Sequence, residues 1–121
     1  LLNIGTLPEN QRTLAQLAQA IEQTLGRTPT IIGNPKQPLT RIAWCTGGAQ
    51  WYFQAAIDAD ADVYLTGEIS EAQYHLANET DTAFIAAGHH ATERYGIQAL
   101  GKALAQQFDV EVQFFDEHNP A

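Results

Sequence analysis

The 121-residue sequence contains no methionine and only one cysteine, Cys45. A translated chain begins with Met, and one of this size ordinarily carries a few more, so the first absence leads us to expect a fragment or a processed chain. The second excludes an intrachain disulfide and any zinc site built from several thiolates. Cations are scarce as well, with 6 Lys and Arg against 14 Asp and Glu and a formal charge of -8. A nucleic-acid groove or an anionic lipid surface calls for clustered cations, so both are disfavoured as partners. No apolar run reaches the roughly 18–20 residues of a membrane span, and the opening Leu-Leu-Asn-Ile-Gly is too short for a signal peptide. The expectation is a cytoplasmic, reducing setting without membrane contact.

What is present is enough to fold. Apolar residues make up 45% and charged residues 17%, a balance that buries a core and is unlike that of disordered chains. Short β-rich runs alternate with longer helical ones, which predicts an α/β fold with a mixed sheet flanked by helices. An extended start at Leu1–Ile4 leads to Thr6 and Glu9 at capping-box spacing, with Pro8 between them. A helix is therefore expected to begin there, with Leu14, Leu17, Ala18, Ile21 and Leu25 on its buried face and Gly26 at its end. Further strands are expected at 30–32, 41–45, 63–66, 83–87 and 111–115. Helices are expected after Ala49, over 71–78 and after Gly88. The last is the longest, with Ile97, Leu100, Gly101, Leu104 and Phe108 as its buried stripe. No linker divides the chain, although Gly33–Pro38 is its best hinge.

Ligands of open α/β sheets collect beyond the carboxyl ends of strands. Three such ends carry polar or glycine-rich chemistry here: Thr46-Gly47-Gly48, Thr66-Gly67-Glu68 and Gly88-His89-His90. His89 and Glu93, four apart at a helix start, can project from one side toward a cation. A nitrogen and a carboxylate suit Zn, Mn, Fe, Co or Ni better than Ca. The same pattern also describes a plain helix entry, with a histidine bonded to a carbonyl and Glu93 complementing the helix dipole. A catalytic metal normally takes about three protein ligands, and beyond the His89-His90 pair the only histidines are His75 and His118. Glu68 can orient a water, accept a proton or support a ligating histidine. His75, about two turns along the next helix, can face the same cleft, and both can equally be ordinary helix residues. Thr46-Gly47-Gly48-Ala49 exposes N–H groups to an anion but matches neither a Walker nor a dinucleotide fingerprint. Cys45 reads as a small buried side chain, and Trp44, Trp51, Tyr52 and Phe53 as core or subunit contact, with base stacking as the lesser alternative.

Several segments together resemble the Nif-three-like family. They are Gly47-Gly48-Ala49-Gln50, Ala61 to Glu71 (Ala-Asp-Val-Tyr-Leu-Thr-Gly-Glu-Ile-Ser-Glu), Ala87 to Ile97 (Ala-Gly-His-His-Ala-Thr-Glu-Arg-Tyr-Gly-Ile) and the closing Asn119-Pro120-Ala121. The likeness runs from about Arg41 to the end and is to the family's carboxyl half. It implies an inner α/β domain over about 1–86 and a helix and strand over about 87–121 that carry the metal motif. It also implies intertwined domains, a ring-shaped homohexamer, and a centre of two divalent metal ions per full-length subunit with ligands from both halves. His89 and Glu93 match the family's carboxyl-half ligands, and Glu68, His75 and His90 match positions expected to support the ligands or touch substrate. Members are labelled GTP cyclohydrolase I type 2 homologs, which implies a metal-dependent hydrolase acting on a small molecule such as a purine nucleotide, with its catalytic residues unassigned. The alternative is a metal-binding or assembly protein that forms a homo-oligomeric ring without turnover.

Overall fold

The computed structural model describes residues 1–121. Five strands form one sheet: β1 (Asn3–Thr6), β2 (Thr30–Ile32), β3 (Arg41–Trp44), β4 (Val63–Thr66) and β5 (Ala83–Ala86). Their spatial order is β1-β3-β4-β5-β2. The three central strands are parallel, and the edge strands β1 and β2 run antiparallel to β3 and β5. Four helices accompany the sheet: α1 (Leu14–Leu25), α2 (Phe53–Asp58), α3 (Glu71–Glu79) and α4 (His89–Phe108). The expected mixed sheet flanked by helices is what the chain adopts.

The central strands show why. Side chains alternate across a strand, so Ile42, Val63, Ala83 and Ile85 enter one apolar cluster with Leu14, Leu17 and Ile21 of α1. Their neighbours Ala43, Tyr64, Phe84 and Ala86 enter a second cluster, with Phe53 and Ala56 of α2 and Ala77 of α3. Phe53, Tyr64 and Phe84 meet ring against ring, the closest pair edge to face at 4.9 Å between centroids. Both faces of the parallel strands are thus covered, as parallel sheets require.

Four details depart from expectation. β1 starts two residues later than Leu1. The helix does not begin at the Thr6/Glu9 pair: Glu9–Gln11 makes one 3₁₀ turn, and α1 starts at Leu14. The working capping box is Thr13 with Gln16, each side chain bonded to the other's backbone. A helix starts where burial starts, and Leu14 is the first residue of the apolar stripe to be enclosed.

The third departure concerns α4. Of its expected stripe only Gly101 is buried, while Ile97, Leu100, Leu104 and Phe108 are exposed. No α4 side chain belongs to either core cluster, because α1, α2 and α3 already occupy both faces of the sheet. The fourth is that residues 111–115 form no strand. Neither sheet edge takes them up, and Val112 instead packs where Gly101 lacks a side chain. No helix is long and apolar enough to cross a membrane.

Candidate metal centre

The carboxyl ends of β3, β4 and β5 converge, and a ladder of backbone bonds holds their loops together. Gly67 N–H donates to the Gly47 carbonyl at 2.9 Å, and Gly88 N–H donates to the Gly67 carbonyl at 2.9 Å. The Thr66 hydroxyl also donates to the Gly47 carbonyl, at 3.1 Å. From the helix side, Gly47 N–H donates to the Thr92 hydroxyl at 3.0 Å. Tyr64 reaches up from the core to donate to the Ala49 carbonyl at 2.6 Å, and burial pushes its phenol up to about 12. The Gly47–Ala49 turn is therefore tied to β4 and its end and to the first turn of α4.

On this platform three side chains meet. His89 Nδ1 lies 2.5 Å from Glu68 Oε1, and His89 Nε2 lies 3.1 Å from Glu93 Oε2. All three side chains are half-exposed. The hydrogen bond from His89 holds the Glu68 carboxyl below its ordinary range, with a smaller contribution from Gln50, whose Nε2 lies 3.4 Å from Glu68 Oε2. The same bond to Glu68 raises the imidazole above its ordinary value, and Glu93 adds to the effect.

Two glycines make room for this cluster. Gly47 has a φ of 71°, a region that L side chains rarely adopt, and a Cβ there would strike the Glu93 carboxylate and come within 3.2 Å of His89 Nε2. Gly67 is pressed between backbones, where a Cβ would stand 2.6 Å from the Gly47 carbonyl oxygen and 2.7 Å from His89 Cα. Their placement after strands was legible in the sequence; their contact with His89 and Glu93 was not.

The arrangement suits a cation. Two donors held by one metal at roughly 2.0–2.2 Å and near-tetrahedral to octahedral angles sit about 3 Å apart, which is the separation of His89 Nε2 and Glu93 Oε2. Glu68 on Nδ1 supplies the carboxylate that commonly fixes the orientation of a ligating imidazole. Within this chain no set of three His, Cys, Asp or Glu side chains is arranged to hold a metal ion.

The other sequence candidates lie elsewhere. His75 is exposed on α3, with Glu71 3.8 Å away and the Tyr74 ring edge-on to it, and does not join the cluster. His90 turns to Asp116, Nε2 to Oδ1 at 2.8 Å. His118 lines a cleft beside Asp116. Of the aromatic group, Phe53 is core and Trp44 packs against the first cluster, while Trp51 lies on the surface. Sequence reasoning gave no role to Gln50, Thr92 or Asp116. The first two sit inside motifs already noted, whereas Asp116 lies in a polar tail with no local signal.

Fold and site together define an α/β domain that gathers nitrogen and oxygen donors at the carboxyl ends of the parallel central strands of a mixed sheet. The chain belongs to the Duf34/NIF3 (NGG1p interacting factor 3) family, whose model matches residues 1–120. A protein of Neisseria meningitidis serogroup B named GTP cyclohydrolase 1 type 2 homolog is 62% identical over 121 residues, all of this chain and 48% of that protein. A solved structure described as protein ybgI, of unknown function, superposes with a TM-score of 0.94 at 43% identity, over all of this chain and 49% of that one. A Bacillus cereus protein related to NIF3 superposes with a TM-score of 0.79 at 28% identity, over 88% of this chain and 29% of that one. The chain spans about half the length of the curated relatives it matches.

Proposed function

We propose that His89 and Glu93 ligate a divalent transition-metal ion, with Glu68 orienting His89, as one part of a two-metal centre whose remaining ligands come from outside these 121 residues. The observation that carries this reading is the histidine held at Nδ1 by one carboxylate with Nε2 directed at another. That only two donors face each other here is in keeping with a shared site, since the relatives are about twice as long. Zn, Fe, Mn, Co and Ni all accept such a donor pair. When bound, a metal pair supplies Lewis acidity and acidifies water for hydrolysis.

This chain's own residues would shape that chemistry. Glu68 keeps the imidazole in place and, with its lowered pKa, stays ionised. Gln50 steadies Glu68, and Gly47 leaves the space beside Glu93 free for the cation. The reaction we propose is metal-dependent hydrolysis of a small molecule. The name of the Neisseria relative suggests a nucleotide substrate, although no side chain here reads a base. A second reading, a non-catalytic metal-binding or assembly protein in a homo-oligomeric ring, draws support from the exposed apolar face of α4.

Elemental analysis of the full-length protein tests the site. His89→Ala is expected to remove at least half of the bound metal, and His118→Ala none. Equal loss from both would refute the assignment. A steady-state assay of the loaded protein on purine nucleotides separates the two readings: retained metal with uncatalysed rates leaves only the second.

A further inference from the structure

The residues that follow the two proposed ligands, His90 and Arg94, are gripped by a single carboxylate. Asp116 Oδ1 lies 2.8 Å from His90 Nε2, and Asp116 Oδ2 lies 3.1 Å from Arg94 Nη1. His90 chiefly, with Arg94, holds the Asp116 carboxyl below its ordinary range. The chain then curls back, and the Ala121 carbonyl accepts from Arg27 Nη1 at 2.8 Å and from the His90 backbone N–H at 3.3 Å. Residues 116–120 thereby form one wall of a cleft of about 460 Å³, opposite Leu25, Arg27, His90 and Arg94. Arg94 Nη2 also donates to the Leu25 carbonyl at 2.8 Å, tying α4 to the end of α1.

Successive helical residues are separated by about 100° around the axis. The 89/93 pair and the 90/94 pair are thus adjacent faces of the same turn, so a grip on the second sets the rotation of the first. A roll of about 10° at ~6 Å from the axis displaces a side chain by ~1 Å, beyond the ~0.5 Å tolerance of a ligand set. The platform loops hold the helix start through the short Thr92 side chain and the Gly88 backbone, whereas Asp116 grips the tips of the longer His90 and Arg94 side chains. Asp116 acts with a longer lever.

We propose that segment Asp116–Ala121 is a clip that sets the rotation of the first turn of α4, and that Asp116 is a positioning residue for the His89–Glu93 cation site. The proposal rests on the metal reading above, so its test carries one readout that needs no metal. The full-length protein is prepared metal-free as wild type, Asp116→Ala and Asp116→Glu. Amide exchange at residues 90–94 reports the clip. Titration with Co(II), followed by its visible absorption, reports affinity and ligand geometry. Asp116→Ala is expected to speed exchange there, weaken cobalt binding by about tenfold, the lower end of what orienting groups contribute, and alter the cobalt spectrum. Asp116→Glu, which keeps a carboxylate, is expected to recover part of each.

Unchanged exchange in Asp116→Ala would show that the clip does not order the helix start. Faster exchange with cobalt affinity within about twofold and the same spectrum would show a clip without a positioning role. A wild-type protein that takes up no cobalt would remove the metal reading and the positioning role together, and the exchange data would still separate that failure from failure of the clip.

Discussion

Strands β4 and β5 and the far part of α4 carry comparable apolar content, yet they meet opposite fates. In β4 and β5, seven of the eight residues are buried, with only Leu65 intermediate. In α4, Ile97, Leu100, Leu104 and Phe108 stand open, joined on the same surface by Val112 and Phe114. A parallel strand flanked by strands and covered on both faces has its burial partners built into the topology. A helix that follows the last strand, once both faces are filled, has few within this chain, chiefly Val112 at Gly101. The metal-ligand candidates sit at the boundary between the two regimes. They draw rigidity from the strand ends and depend on the first turn of α4 for their direction.

The largest effect should come from opening the buried side of this contrast. Phe84 is fully enclosed, edge-on to Phe53 and 5.6 Å from Tyr64. Phe84→Ala is expected to cost about 3–5 kcal/mol, the usual range for deleting a buried ring. Urea unfolding measures it. A cost below about 1 kcal/mol would mean that the second core cluster is loosely packed and that the contrast drawn here is false.

At the boundary, backbone spacing takes over from side-chain packing. Gly67→Ala would force a methyl between the Gly47 carbonyl and His89 Cα, neither of which can move without shifting a strand end. A loss of about 2 kcal/mol is expected, typical of overpacking, together with reduced metal content in the full-length protein. Gly96, inside α4 with open space at its missing Cβ, is the control: Gly96→Ala should stabilise by about 0.5–1 kcal/mol through helix propensity. If both alanines behave alike, the close approach at Gly67 has no energetic weight.

The same contrast explains what could be read in the residues before any coordinates. β4 was legible as a β-branched and aromatic run bounded by Asp62 and Gly67, and β5 as a run of small and apolar residues that ends in Gly88. His89 and Glu93 were legible because their spacing is local, and Glu68 was recognisable as a carboxylate after a strand. The burial of the α4 stripe was not legible: helical periodicity reports that a face is apolar, not that something lies against it. Thr6/Glu9 and Thr13/Gln16 both offer a capping pair, and only the enclosure of Leu14 decides between them. Asp116 was hidden for a further reason. Its partners are 22 and 26 residues away, and no periodicity connects a polar tail to a helix start.

The smallest effect is expected on the open side, where its size is the informative quantity. Leu100 keeps 53% of its surface exposed, so truncating it removes only part of the usual transfer energy, and alanine returns some of that as helix propensity. In these 121 residues alone, Leu100→Ala is expected to change stability by less than about 1 kcal/mol, against the 2–5 kcal/mol usual for an enclosed leucine such as Leu14. The same substitution in the full-length protein then reads the environment of that face directly. A cost that stays below 1 kcal/mol means the stripe is solvent-facing there too. A rise toward the Leu14 value means that the remainder of the protein, or another copy of it, supplies the surface that α4 lacks here, and concentration dependence of the unfolding midpoint tells those two apart.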